Sequence, residues 1–238
     1  MSKPKQFNSN VLEVKELSPT VKVVKFSTPK DFSFSAGQYI LISVPAKEGK
    51  KIRRAYSIAS NPNVKGSIEL CVKHIDNGLA SNFICNLKEG NEVEFFGPAG
   101  RFVIEDNSKD KDIIFIAVGT GISPFVAMIP DLLENGFKNK ITLIKGCRHK
   151  EDILYNELCN DLKQNYSNFS THVVLSRPNN LEDCDFKGYV QNCLPEVIPE
   201  NFQGHVYICG LSEMINEVEK KLKSLGLKED QIFFEKYD

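Results

Sequence analysis

Two short segments of this 238-residue chain carry the residue types best suited to chemistry. Residues 53–57 read Arg-Arg-Ala-Tyr-Ser, and residues 119–124 read Gly-Thr-Gly-Ile-Ser-Pro. In the first segment, arginine offers a planar charged fork for phosphate, tyrosine a rigid aromatic face for stacking, and serine a hydroxyl that donates and accepts. These groups suit a flavin nucleotide, which combines phosphate with a flat ring.

The second segment is typical of a phosphate-binding turn. It follows an apolar run at 113–118, turns on two glycines, and leads into a predicted helix whose first turn can hold Pro124. Backbone N–H groups and the helix dipole at such a start attract phosphate, so the segment indicates a dinucleotide site. The third glycine of the usual dinucleotide fingerprint is absent, and an ordinary tight turn between strand and helix is the alternative.

The composition fits a globular protein of two medium domains. Hydrophobic residues make up 41% of the chain and include 16 Phe, which can supply two cores. The 30 basic and 31 acidic residues give a formal net charge of −1, so no overall field recruits nucleic acid or anionic lipid. No stretch approaches the about 18 continuous apolar residues of a membrane span, and the first residues lead into polar sequence rather than a signal-peptide core. We therefore expect a cytoplasmic protein without a membrane span.

The seven cysteines are scattered along the chain and never spaced as a CxxC pair. A disulfide framework, a zinc site and an iron–sulfur cluster all need paired or clustered spacing. We expect no metal, and we expect most cysteines to be reduced thiols in the core. Cys209 alone stands out, because it ends an apolar run.

The first half of the chain has the pattern of a small antiparallel barrel. Short apolar strands are separated by turn residues, and a charged polar stretch at 105–112 then indicates a linker between domains. The predicted strands cover 21–27, 39–44, 56–59, 67–73 and 92–96.

Beyond the linker, strands alternate with helices, which implies a doubly wound parallel sheet. The predicted strands cover 113–118, 141–145, 172–175, 206–209 and 232–235, and the predicted helices cover 124–134, 153–164 and 213–225. The last helix has an apolar face at helical spacing, typical of core packing. We predict an N-terminal antiparallel β-barrel domain over residues 1–107 and a C-terminal α/β domain over residues 112–238.

In this order, the two segments resemble those of the ferredoxin-NADP reductase superfamily of flavoproteins, and the resemblance covers nearly the whole chain. It implies that the barrel is a six-stranded FAD-binding β-barrel and that the doubly wound α/β domain binds NAD(P). In that family the arginine of an RxYS motif meets the flavin pyrophosphate, the tyrosine lines the isoalloxazine, and the serine hydrogen-bonds near the hydride-accepting nitrogen. The matching residues are Arg54, Tyr56 and Ser57. The alternative for Arg54 is a solvated basic loop edge.

Residues 78–82, Gly-Leu-Ala-Ser-Asn, resemble the family's second phosphate segment and are expected to open a short helix at 82–87. A small residue at Ala80 lets the backbone approach an anion, and Ser81 can cap the helix or donate to phosphate. An ordinary helix cap is the alternative for Ser81. Two phosphate contacts favour FAD over FMN. The expected FAD-binding residues of this region are Val72, Lys73, Gly78, Ala80 and Ser81.

On the nicotinamide side, the glycine turn allows close approach of the backbone to a pyrophosphate. Family members continue the end of a later strand as CGPxxM, whereas this chain has Leu211 in place of the proline and keeps Met214. The role of the cysteine is expected to survive, but the shape of the loop is open. The expected nicotinamide-site residues are Gly119, Thr120, Gly121, Pro124, Cys209 and Gly210.

The chain ends Phe-Phe-Glu-Lys-Tyr-Asp. In ferredoxin-NADP reductases, a glutamate two positions before a terminal aromatic lies near the serine and the cysteine, and the aromatic covers the flavin until nicotinamide displaces it. Glu235 and Tyr237 match this spacing, although Asp238 follows them. The resemblance implies a catalytic set of Ser57, Cys209, Glu235 and Tyr237. A frayed terminal strand with a core aromatic is the alternative for the tail.

The resemblance also suggests which nicotinamide is used. Ser176 and Arg177 end a predicted strand where NADP-dependent relatives place a Ser-Arg pair against the extra phosphate, and arginine suits that contact. Ser-Arg also occurs in NADH-using relatives, and Arg148 is no more decisive. We favour NADP(H) over NAD(H).

The implied activity is that of an NAD(P)H-dependent flavoprotein reductase that passes electrons to a separate carrier, such as ferredoxin, flavodoxin or an oxygenase component. The alternatives are an electron-transfer subunit of a larger complex and an NAD(P)H:flavin reductase. A basic group formed by Lys47, Lys50, Lys51 and Arg53 could dock an acidic carrier, or could be a solvated loop.

Overall fold

The computed structural model describes residues 3–237, which divide into two units. The first unit runs to Val103 and also contains Ser123–Asp131. The second contains Ile104–Ile122 and the residues from Leu132 onward.

The first unit is an antiparallel barrel of six strands with one short helix. Strands lie in the order β4-β3-β6-β1-β2-β5, and a bridge between Ile58 and Leu70 joins the two edges. Phe26 and Phe95 are fully buried in its core, with their rings edge to face at 5.0 Å. The elements are β1 (Lys5–Ser18), β2 (Val21–Ser27), β3 (Tyr39–Pro45), β4 (Lys51–Ser57), β5 (Ser67–Lys73), α1 (Leu79–Cys85) and β6 (Glu92–Ala99).

The chain after Ile104 builds a parallel sheet in the order β10-β9-β8-β7-β11-β12, and most of its first helix, Ser123–Asp131, is grouped with the first unit. Its central strands are nearly continuous apolar runs, as expected for strands buried on both faces. The elements are β7 (Ile113–Val118), α2 (Ser123–Glu134), β8 (Ile141–Cys147), α3 (Asn156–Asn165), β9 (Phe169–Leu175), β10 (Phe186–Lys187), α4 (Val190–Val197), β11 (His205–Gly210), α5 (Ser212–Ser224) and β12 (Ile232–Lys236).

The predicted apolar face of α5 lies in the core of the second unit. Ile215, Val218 and Leu222 are fully buried there, against Ile116 and Ile208 of the sheet. The two-domain fold class predicted from the sequence is confirmed.

Several predicted boundaries were wrong. The sequence patterns located five barrel strands; the sixth is β1, whose alternating exposed polar residues hid it. The strand predicted at 56–59 is β4, which starts at Lys51. Its first residues are mostly basic and exposed, so no apolar pattern marked them as part of a strand. The helix predicted at 82–87 is α1, which starts after Gly78 at its N-cap.

In the second half, α3 starts at Asn156 rather than at 153. A 3-10 turn at Lys150–Asp152 and a left-handed Tyr155, with φ of 53°, precede it. The strand β9 starts at Phe169 rather than at 172, and neither β10 nor α4 was predicted. Pro195 inside α4 masks its helical pattern.

The charged stretch predicted as a linker is partly ordered on the second unit. It contains a 3-10 turn at Asp106–Ser108, and Ser108 is fully buried. All seven cysteines are free, and five of them are buried. Within residues 3–237, no helix combines the length and the apolar character needed to cross a membrane.

Candidate functional site

Strand β4 places Arg54 and Tyr56 on the same face, because alternate residues of a strand point the same way. Tyr56 is partly buried against the barrel core, while Arg54 is exposed and donates from Nη1 to the Arg53 carbonyl at 3.0 Å. Burial raises the pKa of Tyr56 to about 12, the nearby Cys85 adds to this, and the Arg54 charge offsets it only in part. A neutral aromatic side chain and a charged fork therefore lie side by side.

Ser57 ends the same strand. It is 6% exposed and pairs in register with Tyr39 of β3. Its backbone is therefore fixed by the sheet, next to the face that carries Tyr56.

The loop between β5 and α1 holds the second predicted phosphate segment. Gly78 is the N-cap of α1, and Ser81 is the third helical residue, so the alternative of Ser81 as an ordinary helix cap is wrong. The Ser81 hydroxyl instead donates to the Gly78 carbonyl and accepts from the Ile75 N–H, both at 3.3 Å. A Cβ on Gly78 would lie 2.5 Å from the Ser81 oxygen, so this tight loop requires glycine. Ala80, buried in the first helical turn, adds no bulk to the loop.

Sequence reasoning missed the residue that organises this loop, Asn82. Its side-chain amide donates to the carbonyls of Gly78 and Ile75 at 2.7 and 3.0 Å, and its oxygen contacts His74 Nε2 at 2.7 Å. An asparagine directly after a Gly-x-x-Ser segment was the available signal. Val72 and Lys73, the other predicted residues here, end β5 with Val72 buried and Lys73 exposed.

The glycine turn follows β7 as predicted, as a 3-10 turn at Gly119–Ile122 that leads into α2. Thr120 lies within this turn, and Pro124 lies in the first turn of the helix. Gly119 has φ of 56°, a left-handed conformation, and a Cβ there would meet nothing within 4 Å. Gly121 is the opposite case, because a Cβ there would overlap the Cys209 carbonyl oxygen.

Gly121→Ala should therefore disrupt the second unit. Overlap with fixed backbone costs at least about 1–3 kcal/mol, and we expect that loss in thermal or denaturant unfolding. Gly226→Ala is the matched control, since Gly226 has φ of 91° and open space around it. It should cost less stability, because it adds only backbone strain. A loss in Gly121→Ala no greater than that in Gly226→Ala would contradict the close contact at Gly121.

The structure brings three of the four predicted catalytic residues together at the carboxyl end of the sheet. Cys209 of β11 is fully buried and aligned in register with Glu235 of β12, so the two side chains share one face. The Tyr237 N–H donates to the Gly210 carbonyl at 2.9 Å, and the Tyr237 side chain hydrogen-bonds the Cys209 thiol. Ser57, the fourth residue, belongs to the first unit.

The Cys209 sulfur is a neutral thiol. Burial raises its pKa well above the ordinary value, the Glu235 charge raises it further, and the hydrogen bond from Tyr237 lowers it only in part. A thiol of this kind is neither nucleophile nor base at neutral pH. It can contact a bound ring without reacting with it.

The loop after β11 has a backbone conformation at Leu211 that would also accept the family's proline. Leu211 is the N-cap of α5, with φ of −68°, which is the value that a proline ring imposes. Gly210 has φ of 157°, and a Cβ there would overlap the terminal methyl of Met214. The substitution of Leu211 for proline is therefore compatible with the backbone conformation at this position.

Ser176 and Arg177 follow β9 at the carboxyl edge of the sheet. The Ser176 N–H donates to the Cys147 carbonyl at 3.0 Å, and the Arg177 N–H donates to the Arg148 carbonyl at 2.8 Å. The second bond joins the loops that follow β8 and β9, so the exposed side chains of Arg148 and Arg177 lie on adjacent loops.

The basic group near β4 is partly neutralised. Lys50 pairs with Glu48 at 3.1 Å, and Lys51 lies 3.9 Å from Glu94. Arg53 donates to Gln6 at 3.1 Å and lies over the Phe96 ring. This arrangement leaves less uncompensated charge for an acidic partner than the sequence suggested.

Comparisons with known proteins agree with both units. Residues 8–104 match the family model of the oxidoreductase FAD-binding domain, and residues 115–220 match that of the oxidoreductase NAD-binding domain. The chain is 30% identical over 247 residues to ferredoxin–NADP reductase B of Sorangium cellulosum (strain So ce56), with 100% of both proteins covered.

The chain is also 36% identical over 225 residues to the phenol 2-monooxygenase reductase component DmpP of Pseudomonas sp. (strain CF600). That alignment covers 93% of this chain and 63% of the relative, so the chain spans less than two thirds of that protein. A crystal structure of a ferredoxin NADP+ reductase from Neisseria gonorrhoeae with bound FAD and NADP has the same fold, with a TM-score of 0.86, 21% identity and 98% of each chain covered.

Fold and matched domains define an oxidoreductase with FAD-binding and NAD(P)-binding domains. The chain belongs to the ferredoxin-NADP reductase superfamily.

Proposed function

We propose that this protein is an FAD-dependent reductase that takes hydride from NAD(P)H and passes electrons to a separate carrier. Residues 1–107 would serve as the FAD-binding domain and residues 112–238 as the NAD(P)-binding domain. The observation that carries the proposal is the alignment of Cys209 with Glu235 at the carboxyl end of the parallel sheet, with Tyr237 bonded to the same cysteine. Ligands gather at this end of parallel strands.

The residues of the first unit fit FAD. Arg54 offers two parallel N–H donors to a phosphate beside the flat face of Tyr56. The glycine-dependent loop at 78–81 brings backbone N–H groups and the Ser81 hydroxyl to one turn, where Ala80 adds no bulk. When bound, FAD accepts a hydride and can release its electrons one at a time.

The residues of the second unit fit a nicotinamide dinucleotide. Gly119 leaves open space at its α-carbon, and Gly121 keeps the turn close to the end of β11. We assign Gly119, Thr120, Gly121 and Pro124 to the pyrophosphate and Cys209 and Gly210 to the nicotinamide. In this assignment Tyr237 is the aromatic side chain that the nicotinamide displaces at this end of the sheet.

The protein's share of catalysis is positioning. Ser57 would hydrogen-bond the flavin ring within the first unit. Cys209 would orient the nicotinamide within the second unit, and the neutral thiol supports a contact role because it is not ionised. Glu235, in register with Cys209, would relay a proton at that end of the sheet.

We further propose that NADPH is preferred over NADH. Arg177 would bind the extra phosphate, with Ser176 beside it and Arg148 held on the next loop. Hydrogen bonds to a charged phosphate are stronger than neutral ones.

Arg177→Ala should lower kcat/KM for NADPH by about tenfold or more, with little change for NADH, because a charged hydrogen bond contributes about 1.5–3 kcal/mol. Steady-state turnover with both cofactors measures this. Lys187→Ala, which removes another exposed basic side chain of the same unit, is the control. A wild-type enzyme that prefers NADH, or an equal loss with both cofactors, would refute the assignment.

The electron acceptor is proposed by chemical class. One relative is named as a ferredoxin–NADP reductase and another as an oxygenase reductase component, which supports a small protein carrier. The alternative of a subunit in a larger complex rests on the same oxygenase relative. An NAD(P)H:flavin reductase remains the third candidate from the sequence.

One experiment separates these functions. Purified FAD-loaded protein is mixed with NADPH, and ferredoxin, flavodoxin or free FMN is then offered as the electron acceptor. Fast turnover of a protein carrier with FAD retained supports the proposal. Fast turnover of FMN with loose flavin selects the flavin reductase, and reduction without turnover of any acceptor selects the subunit.

A further inference from the structure

A buried chain of hydroxyl and imidazole groups lies in the second unit, at the opposite end of β11 from Cys209. The Ser108 hydroxyl lies 2.6 Å from His205 Nδ1 and 2.7 Å from the Tyr207 hydroxyl. Ser108 and Tyr207 are fully buried, and His205 is 2% exposed. The Glu105 N–H donates to the Tyr207 oxygen at 3.0 Å.

These hydrogen bonds tie the segment 104–112 to the parallel sheet. Glu105 and Ser108 belong to the segment, whereas His205 and Tyr207 belong to β11. A further bond runs from the His205 N–H to the Asp112 carbonyl at 2.9 Å. The Asp112 bond uses the backbone of His205, so the histidine ring makes one attachment, to Ser108, and Tyr207 makes two more.

When His205 is neutral, the hydrogen bonds of this group can all point the same way, toward the histidine ring. The Tyr207 hydroxyl donates to Ser108, and the Ser108 hydroxyl donates to Nδ1, so that His205 carries its proton on Nε2. A protonated His205 must donate from Nδ1, which turns the Ser108 hydroxyl toward Tyr207. Tyr207 then accepts from both Glu105 and Ser108 and can no longer donate its own proton to Ser108, while an imidazolium occupies a buried position.

The surroundings disfavour that charge. Burial is the main cause of the lowered pKa of His205, and Lys111 lowers it further, while Asp230 and Asp110 raise it only in part. The Phe233 ring packs against both the His205 ring, at 5.2 Å, and the Tyr207 ring, at 4.8 Å. Opening the segment would let water reach a charged histidine.

We propose that Ser108, Tyr207 and His205 form a proton-sensitive latch, which holds the segment 104–112 on the sheet while His205 is neutral and releases it when His205 is protonated. The released state binds one more proton. Attachment is therefore complete above the ordinary titration range of histidine and weakens as the pH falls through that range. The equilibrium constant for release should rise by up to about tenfold per pH unit, the limit for one proton.

Hydrogen exchange of the whole protein tests the latch between about pH 7.5 and about pH 5.5, the range in which histidine titrates. Protection factors for the amides of 104–112 are corrected for the intrinsic pH dependence of exchange. The wild type should lose protection in this segment as the pH falls. His205→Gln, which keeps an acceptor for Ser108 without a titrating ring, should lose the pH dependence.

His172→Gln is the matched control, because His172 lies on β9 and outside the chain of hydroxyls. It should keep the wild-type pH dependence. Ser108→Ala, which breaks the link directly, should show weakened protection already at neutral pH. The latch is overturned if the wild type shows no pH dependence, if His205→Gln keeps it, or if Ser108→Ala protects the segment as well as the wild type does.

Discussion

Cys209→Ala is expected to slow hydride transfer from NAD(P)H by about 100-fold, the loss that a small misplacement of reacting groups can cause. FAD affinity should stay unchanged, since Cys209 lies in the second unit and the proposed FAD contacts lie in the first. Rapid mixing of FAD-loaded protein with NADPH gives the transfer rate, and FAD titration of the apoprotein gives the affinity.

Cys193→Ala serves as its control. Cys193 is 2% exposed in the same unit, but it lies on α4 with its thiol bonded to the Val190 carbonyl, away from Glu235 and the tail. The Cys193→Ala variant should lose stability because packing is lost, but its rate of hydride transfer should not fall. Equal losses of transfer rate and FAD affinity in Cys209→Ala would refute the positioning role.

Arg54→Lys is expected to weaken FAD binding by about 10–100-fold, which corresponds to the 1.5–3 kcal/mol of a charged hydrogen bond. Lysine keeps the positive charge but cannot reproduce the two parallel donors of the guanidinium. Quenching of flavin fluorescence on titration of the apoprotein measures the dissociation constant.

Arg53→Lys is the neighbouring control. Arg53 points to the other face of β4, where it bonds Gln6 and lies over Phe96. Its replacement should leave FAD affinity close to that of the wild type. A greater loss of FAD affinity in Arg53→Lys than in Arg54→Lys would show that the phosphate contact belongs to Arg53 and not to Arg54.

The sequence predicted those parts of the molecule that depend on local patterns. The glycine turn at 119–122 follows from glycine conformation, and the apolar face of α5 follows from helical spacing. The placement of Cys209 and Glu235 followed from the family resemblance, and the structure aligns them in register.

Other features could not be predicted because they depend on partners distant in the chain. Strand β1 has a polar outer face and is recognised only by its pairing with β2 and β6. The role of Asn82 depends on the loop that wraps around it. The bond between Ser108 and His205 joins residues 97 positions apart, and neither residue has a local pattern that reveals it.

The most direct test of the proposed function is anaerobic mixing of the FAD-reconstituted protein with NADPH, followed by flavin absorbance. We expect the protein to bind FAD at one site per chain and to lose the absorbance rapidly as the flavin is reduced, with a slower loss in Cys209→Ala. A protein that refuses FAD, or that binds FAD but is reduced by neither NADPH nor NADH, would contradict it.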